Sequence, residues 1–478
     1  MVLWRLVTRG LGIISTLFLA RVLVPQDFGI VAIATTYVAA FDSISAVGLQ
    51  DAIIRIGGNS DHLHDTAFTL GILRSTINGI LVALSAPLAA AFFNEPRIVP
   101  VLHVLAVLTV LEGFENIGVV DFRRAMRFDK DFQLFLLPRL VGVVVTITCA
   151  MVFKTYWGLV AGITALRLVR LAATYVLHPY RPKFSMHGWQ QISSFSFWTW
   201  ASSIATLARD RCWTMVIGRF FDPAAVGIFT MASEIGLLPI SEFIYPICRA
   251  LFAGFTMARH QGTNLGPAFA RTIGVMALIA LPSAIGISAV GNYIVDVALG
   301  PKWGNAVGIM QIISASAPFY LLTAIGSTVM NAAGNIRNNF WIIAASAVVG
   351  VIGSAVMAHE FGMLGVAGAT AILMTFEGVL FLVVAMRSVE VSVGEIVYRL
   401  WRPLVATLVM TIVLWASGYG WQASTPGTIA NFRECGAAIA LGVLSYGGSI
   451  FLLWKLSRDK DPLELFLLGT ARRAILRR

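Results

Sequence analysis

The chain has 478 residues, 58% of them hydrophobic and 12% charged, with a net charge of +11 and a mean hydropathy of +0.81. Soluble domains carry about 25% charged residues, so a water-soluble fold is excluded. Apolar runs of about 20 residues, the length that crosses ~30 Å of hydrocarbon, recur from end to end. They lack the apolar–polar alternation of barrel strands, so the spans are expected to be helices.

The first run carries Arg5 and Arg9 ahead of Leu11–Ala20 and resembles a signal peptide. Its apolar character continues to Val24, so an uncleaved first helix is expected. About fourteen crossings are expected in all: 3–24, 28–50, 66–93, 98–121, 132–153, 156–177, 192–218, 224–247, 268–299, 304–332, 338–358, 363–386, 402–421 and 434–455. Turn residues mark many of the short connections: Pro25, Asn94-Glu95-Pro96, Pro179, Asp222-Pro223, Gly300-Pro301 and Pro426-Gly427.

Lysines and arginines in the loops set the orientation. With the N-terminus in the cytoplasm, the inner segments hold Arg5, Arg9, Arg55, Arg123, Arg124, Arg127, Lys130, Arg181, Lys183, Arg249, Arg259, Arg271, Arg337, Arg387, Arg399 and Arg402. Lys455, Arg458, Lys460, Arg472, Arg473, Arg477 and Arg478 follow in the tail. The outer segments hold only Arg97, Lys154, Arg219, Lys302 and Arg433. Both termini are therefore expected in the cytoplasm. The tail from Pro462 fits either a basic amphipathic helix on anionic lipid or a solvated stop-transfer segment.

Arg21-x-x-x-Pro25-x-x-x-Gly29-Ile30 recurs as Arg219-x-x-x-Pro223-x-x-x-Gly227-Ile228, 198 residues on (21 to 219), each copy at a corner between two apolar runs. A weaker echo pairs Phe92-Phe93-Asn94-Glu95-Pro96 with Leu299-Gly300-Pro301-Lys302-Trp303. The expected organisation is an all-α membrane protein with two parallel six-helix lobes, 1–185 and 186–390. Helices 13–14 and a basic tail, 391–478, fall outside the repeat.

Seven arginines fall inside expected crossings: Arg21, Arg74, Arg139, Arg167, Arg170, Arg209 and Arg211. A charge at the bilayer centre costs at least ~2.5–3.5 kcal/mol, so such residues call for partners or a wet cavity. Arg21, Arg167 and Arg170 stand near helix ends, where long side chains reach the interface. Arg74 and Arg139 lie ~12 Å from the cytoplasmic ends of their helices, the depth of Glu112 and Glu115. Two readings fit these four: an Arg–Glu pair tying helices together, or the wall of a polar cavity. Arg209 and Arg211 are about 200° apart round a helix and face different ways, with Asp210 between them as a partner. An arginine-rich cavity suits an anion, above all phosphate or pyrophosphate, because the guanidinium keeps its charge and presents a planar fork of donors. Asp42, Glu112 and Asp210 are candidate coupling groups or charge partners.

Cys149, Cys212, Cys248 and Cys435 are scattered and form no C-x-x-C pair, so they read as small apolar core residues. There is no G-x-x-x-x-G-K-[ST] loop, no H-E-x-x-H and no G-x-S-x-G, so neither an ATP-driven motor nor a catalytic site is expected. No connection is long enough for a soluble domain to hold a sugar nucleotide. The basic charge is accounted for by loops beside anionic lipid, so nucleic acid is not an expected partner.

Leu17-Phe-Leu-Ala20-Arg21-Val-Leu-Val-Pro25-Gln-Asp27-Phe28-Gly29-Ile30-Val-Ala32 resembles the opening of bacterial polysaccharide repeat-unit flippases. These form the Wzx and exopolysaccharide-export branch of the multidrug/oligosaccharidyl-lipid/polysaccharide superfamily. Collinear echoes are Ala91-Phe92-Phe93-Asn94-Glu95-Pro96, Leu102-His-Val-Leu105-Ala, Phe122-Arg-Arg124-Ala-Met126-Arg127-Phe128 and Trp157-Gly158-Leu159-Val160-Ala-Gly162. Ile217-Gly218-Arg219-Phe220, Gly227-Ile228-Phe229 and Leu299-Gly300-Pro301-Lys302-Trp303 follow, so that the resemblance spans about residues 10–390.

The resemblance implies two lobes round a cationic cavity and alternating access. It implies flipping of undecaprenyl-pyrophosphate-linked oligosaccharide across the inner membrane, with a proton or sodium gradient in some members. A polymerase and a chain-length regulator would be partners. Arg21 matches the motif arginine of the first helix and Arg219 its second-lobe counterpart. Cys212 and Ala46 stand where the family usually or often has acids, and the stretch ahead of the first helix is shorter than usual. Substrate contacts are expected at Arg21, Arg74, Arg139, Arg209 and Arg211. The alternatives are an ion-coupled organic-cation antiporter and a lipid II flippase; a polymerase or glycosyltransferase is disfavoured by the short outer loops.

Overall fold

A computed structural model describes residues 2–45, 61–125, 127–187, 197–262, 264–421 and 429–456. Ala46, Arg55, Met126, Pro426-Gly427 and the basic tail lie outside the described residues. Helices stand within each expected range, but the one expected over 98–121 stops at Glu112, and a helix at Tyr245–His260 occupies most of an expected inner connection. The helices are α1 (Val2–Val22), α2 (Pro25–Ile44), α3 (Asp61–Phe93), α4 (Ile98–Glu112), α5 (Phe128–Phe153), α6 (Trp157–Leu177) and α7 (Phe197–Phe220). Then come α8 (Pro223–Gly236), α9 (Tyr245–His260), α10 (Gly266–Ala289), α11 (Ala306–Ala332), α12 (Ile336–Ser388), α13 (Val393–Ala416) and α14 (Ile429–Leu456). Among the described residues there is no strand. Among the described residues, nine helices, with α12 counted once, are long and apolar enough to cross a membrane. The chain is a multi-pass membrane protein.

Local chemistry explains the boundaries. Pro25 and Pro223 open α2 and α8, where a missing N–H costs nothing. Asp27 reaches back to the Val24 N–H (3.1 Å), and Asp222 accepts from the Ala225 N–H (2.8 Å), so the two repeated corners are capped from opposite sides of their prolines. The span expected over 224–247 is interrupted: a π-helical turn, Ile240–Ile244, separates α8 from α9. The 53-residue α12 is broken at Gly362, whose φ of 64° and ψ of −149° suit only glycine, and this break is the expected division between 338–358 and 363–386.

The chain groups into two compact units, residues 1–231 with 336–369, and residues 232–335 with 370–478. In the first, α5 packs on α1 and α6, α4 on α2, α3 and α6, and α2 on α7. The α5–α6 seam is built from Gly142, Ala150, Gly158 and Gly162, whose small size lets the two backbones meet. In the second unit, α10 packs on α11 and α13, and α13 on α14. Phe381 of α12 closes over Gly326 of α11, and the Tyr446 hydroxyl donates to the Leu278 carbonyl (2.8 Å). Cys212, Cys248 and Cys435 are buried and Cys149 is half-buried.

Candidate functional site

All eight candidate residues, Arg21, Asp42, Arg74, Glu112, Arg139, Arg209, Asp210 and Arg211, belong to the first unit. The repeated corners meet there too. A β-carbon on Gly29 would overlap the Pro223 carbonyl, and one on Gly227 would overlap that of Pro25. The two copies thus touch backbone to backbone, each glycine against the other copy's proline. The sequence repeat is therefore a reciprocal contact, with Arg21 and Arg219 each four residues before a participating proline.

Arg21 ends α1 and is exposed. The Arg139 guanidinium on α5 lies over Gly12 of α1. Arg209 is nearly buried, with 10% of its side chain exposed, and pairs with Asp210 at 2.8 Å as expected, while Arg211 is exposed on a different face. Asn78 of α3 donates to Asp42 Oδ1 (3.1 Å) and to Ser45 Oγ (2.6 Å), fixing the end of α2 on α3. Arg74 is half-buried, with its Nε enclosed and lacking a hydrogen-bond partner among the described residues.

Asp42 interacts electrostatically with Glu112, Arg74 and Arg167, so α2, α3, α4 and α6 bring three candidate residues and one further arginine into one charged group. The ion-pair partners of Glu112 and Glu115 are Arg167 and Arg170 of α6 (3.2 and 3.1 Å). From their place near a helix end, those two arginines are expected at the interface. The legible signal was matched spacing: two acids three residues apart, and two arginines three residues apart that share one face of α6.

Beyond the membrane-spanning part, residues 178–187 run as a strap beside the start of α3. The Lys183 N–H donates to Asp65 (2.7 Å), the Ser185 N–H to Thr69 (2.9 Å), and the Thr66 hydroxyl to the His187 carbonyl (2.6 Å). Asn116 donates to the Tyr180 carbonyl (2.6 Å). Burial holds the His178 imidazole below its usual pKa, against the opposing pull of Asp121. Among the described residues no group of three or more His, Cys, Asp or Glu side chains is arranged to hold a metal ion.

The arrangement places fixed positive charge and nearby carboxylates within a lipid-embedded bundle. Solved structures share the fold. The lipid II flippase MurJ in an inward-closed conformation superposes with a TM-score of 0.76 over 95% of this chain and 98% of its own, at 14% identity. An inward-facing multidrug resistance MATE family transporter of the MOP superfamily follows at a TM-score of 0.63, 15% identity, and 82% and 98% coverage.

Several relatives match in sequence. The succinoglycan biosynthesis transport protein ExoT of Rhizobium meliloti is 24% identical over 311 residues, 65% of this chain and 63% of that protein. The lipopolysaccharide biosynthesis protein WzxC of Escherichia coli is 23% identical over 328 residues, 67% and 65% of the two chains. The matched stretch therefore spans just under two thirds of each relative. The sequence profile of the polysaccharide biosynthesis protein family matches residues 18–308, more than half of the chain, and the chain belongs to that family.

Proposed function

We propose that the chain is a flippase that carries undecaprenyl-pyrophosphate-linked oligosaccharide repeat units across the bacterial inner membrane, by alternating access of lobes 1–185 and 186–390. What supports this reading is membership of the polysaccharide biosynthesis protein family together with arginines set inside helices of a membrane protein, Arg74 half-buried and Arg209 nearly buried. Guanidinium groups suit the pyrophosphate, and the prenyl chain stays in lipid. The chain acts as a transporter and not as an enzyme, with both termini in the cytoplasm. A polysaccharide polymerase and a chain-length regulator act downstream of it, and a proton or sodium gradient drives the cycle through Asp42, Glu112 or Asp210.

Deletion of the gene tests the reading. Lipid-linked repeat units are expected to accumulate on the inner leaflet and surface polysaccharide to vanish; normal polysaccharide in a clean deletion strain refutes it. Alanine at Arg21, Arg74 or Arg209 is expected to cut export strongly while the protein remains in the membrane, with lysine restoring it only in part. The MATE-like fold favours a second reading, an ion-coupled antiporter of organic cations. That reading requires altered drug susceptibility on overexpression, and the arginine excess opposes it.

A further inference from the structure

Arg167 and Arg170 stand one turn apart on α6, opposite Glu112 at the end of α4 and Glu115 in the turn that follows. The two ion pairs form successive rungs. Their geometry is loose. Arg167 Nη1 and Arg170 Nε lie within ion-pairing distance of a carboxylate oxygen, yet each is enclosed without an aligned hydrogen bond, as is Arg74 Nε on α3. A permanent interior bridge repays its desolvation only when the donors are well spent, usually by a bidentate fork. Two enclosed guanidinium N–H groups in the rungs, and a third on Arg74, thus lack a well-aligned hydrogen bond among the described residues.

The rungs are also within reach of water. Arg167 and Glu112 expose 27% and 42% of their side chains, Arg170 and Glu115 34% and 16%. Asp42 completes the group from α2. The neighbouring α5 contributes Phe135 beneath Arg170, at 6.0 Å, and its own arginine, Arg139, lies over Gly12.

We propose that this ladder is a diphosphate exchange site, in which phosphate oxygens take the N–H groups of Arg74, Arg167 and Arg170 and displace Glu112 and Glu115, which take up protons as they are released. The carboxylates are built-in occupants that balance the arginines while the site is empty. A diphosphate adds negative charge to a group already holding three carboxylates and three arginines. In a low dielectric that excess is relieved by protonating the displaced acids, so occupancy and proton uptake are linked. The identity of the diphosphate as the head group of a lipid-linked cargo rests on the proposed function above.

The test uses the full chain in lipid nanodiscs, with farnesyl pyrophosphate and inorganic pyrophosphate as probes. Binding is measured calorimetrically at pH 6 and pH 8 in two buffers of different ionisation enthalpy. Both probes are expected to compete for one site, to bind more tightly at pH 6 and to bind with proton uptake. The doubly substituted R167Q/R170Q is expected to bind about tenfold more weakly or worse, the loss of roughly one charge-assisted hydrogen bond. E112Q/E115Q is expected to bind more tightly and to lose the proton uptake, whereas the exposed Glu360→Gln leaves both unchanged. If R167Q/R170Q fails to fold, R167K/R170K keeps the charge without the fork and is expected to lie between it and the wild type.

Wild-type affinity in the folded arginine variants, or weakened affinity in E112Q/E115Q, overturns the exchange site, because the rungs would then be staples only. Inorganic pyrophosphate binding that farnesyl pyrophosphate does not displace overturns the lipid-linked assignment. Arginine-dependent binding alongside normal surface polysaccharide in the deletion strain leaves the exchange site standing and removes the proposed flippase function. Binding that ignores the arginines in a protein whose deletion abolishes polysaccharide does the reverse.

Discussion

The reciprocal contact between the two repeated corners makes a sharp prediction for Gly29→Ala. An added β-carbon would overlap the Pro223 carbonyl oxygen and stand 2.5 Å from its carbon. Carbon atoms at optimal separation are roughly 3.5 Å apart, so relieving the carbon contact alone opens the seam by about 1 Å, and the nearer oxygen demands more. Overpacking of this kind costs about 1–3 kcal/mol. The same holds for Gly227→Ala, whose β-carbon would lie 2.8 Å from the Pro25 carbonyl carbon. Because either change opens the same seam, the double variant is expected to lose less than the two single losses added together. Gly353→Ala is the control: it lies inside α12 with open space where the methyl would go, so the gain in helix propensity, about 0.5–1 kcal/mol, stands alone. The assay is thermal unfolding of the purified protein in one detergent. Gly29→Ala and Gly227→Ala are expected to melt below the wild type and Gly353→Ala at or above it. A Gly29→Ala protein as stable as Gly353→Ala refutes the contact.

Asn78→Ala removes two donated hydrogen bonds and strands the Asp42 carboxylate; a loss of about 1–3 kcal/mol is expected in the same melting assay, and an unchanged melt contradicts the tie between α2 and α3. Gly362→Ala places a β-carbon on a backbone conformation that side chains rarely adopt, so a cost on the order of 1–3 kcal/mol is expected; a wild-type melt would mean that α12 does not need its break. For His178 the folded imidazole is held below the ordinary value of 6.5, so the folded state binds fewer protons than the unfolded chain. Its contribution is complete above that value and is lost as the pH falls below it. Melting temperatures from pH 7.5 to 5.5 are expected to fall more steeply for the wild type than for His178→Gln, and equal slopes would remove His178 from the account.

Much of the fold is legible in the sequence because lipid leaves few choices. Without water to bond the backbone, an apolar run of sufficient length has to be a helix, and Pro25, Pro223 and Gly362 punctuate such runs through missing donors and permitted dihedrals. The corner repeat is equally plain in the letters. What the letters do not say is that its two copies touch, since that depends on a backbone approach no spacing rule encodes. The Arg209–Asp210 pair was legible because it is local.

The partners of Glu112 and Glu115 were not legible in that way. Depth along a helix ranks residues by layer but leaves rotation about the axis and the choice of neighbouring helix undetermined. Packing of α6 beside α4 brought Arg167 and Arg170 to these acids, while Arg139, at a similar estimated depth, lies over Gly12. The sequence by itself therefore determined that this is a helical membrane protein with arginines sunk in its spans, because transfer free energy depends on composition. Only the tertiary structure decided which carboxylate each arginine meets, because charge pairing depends on distances of a few ångströms between helices far apart in the chain.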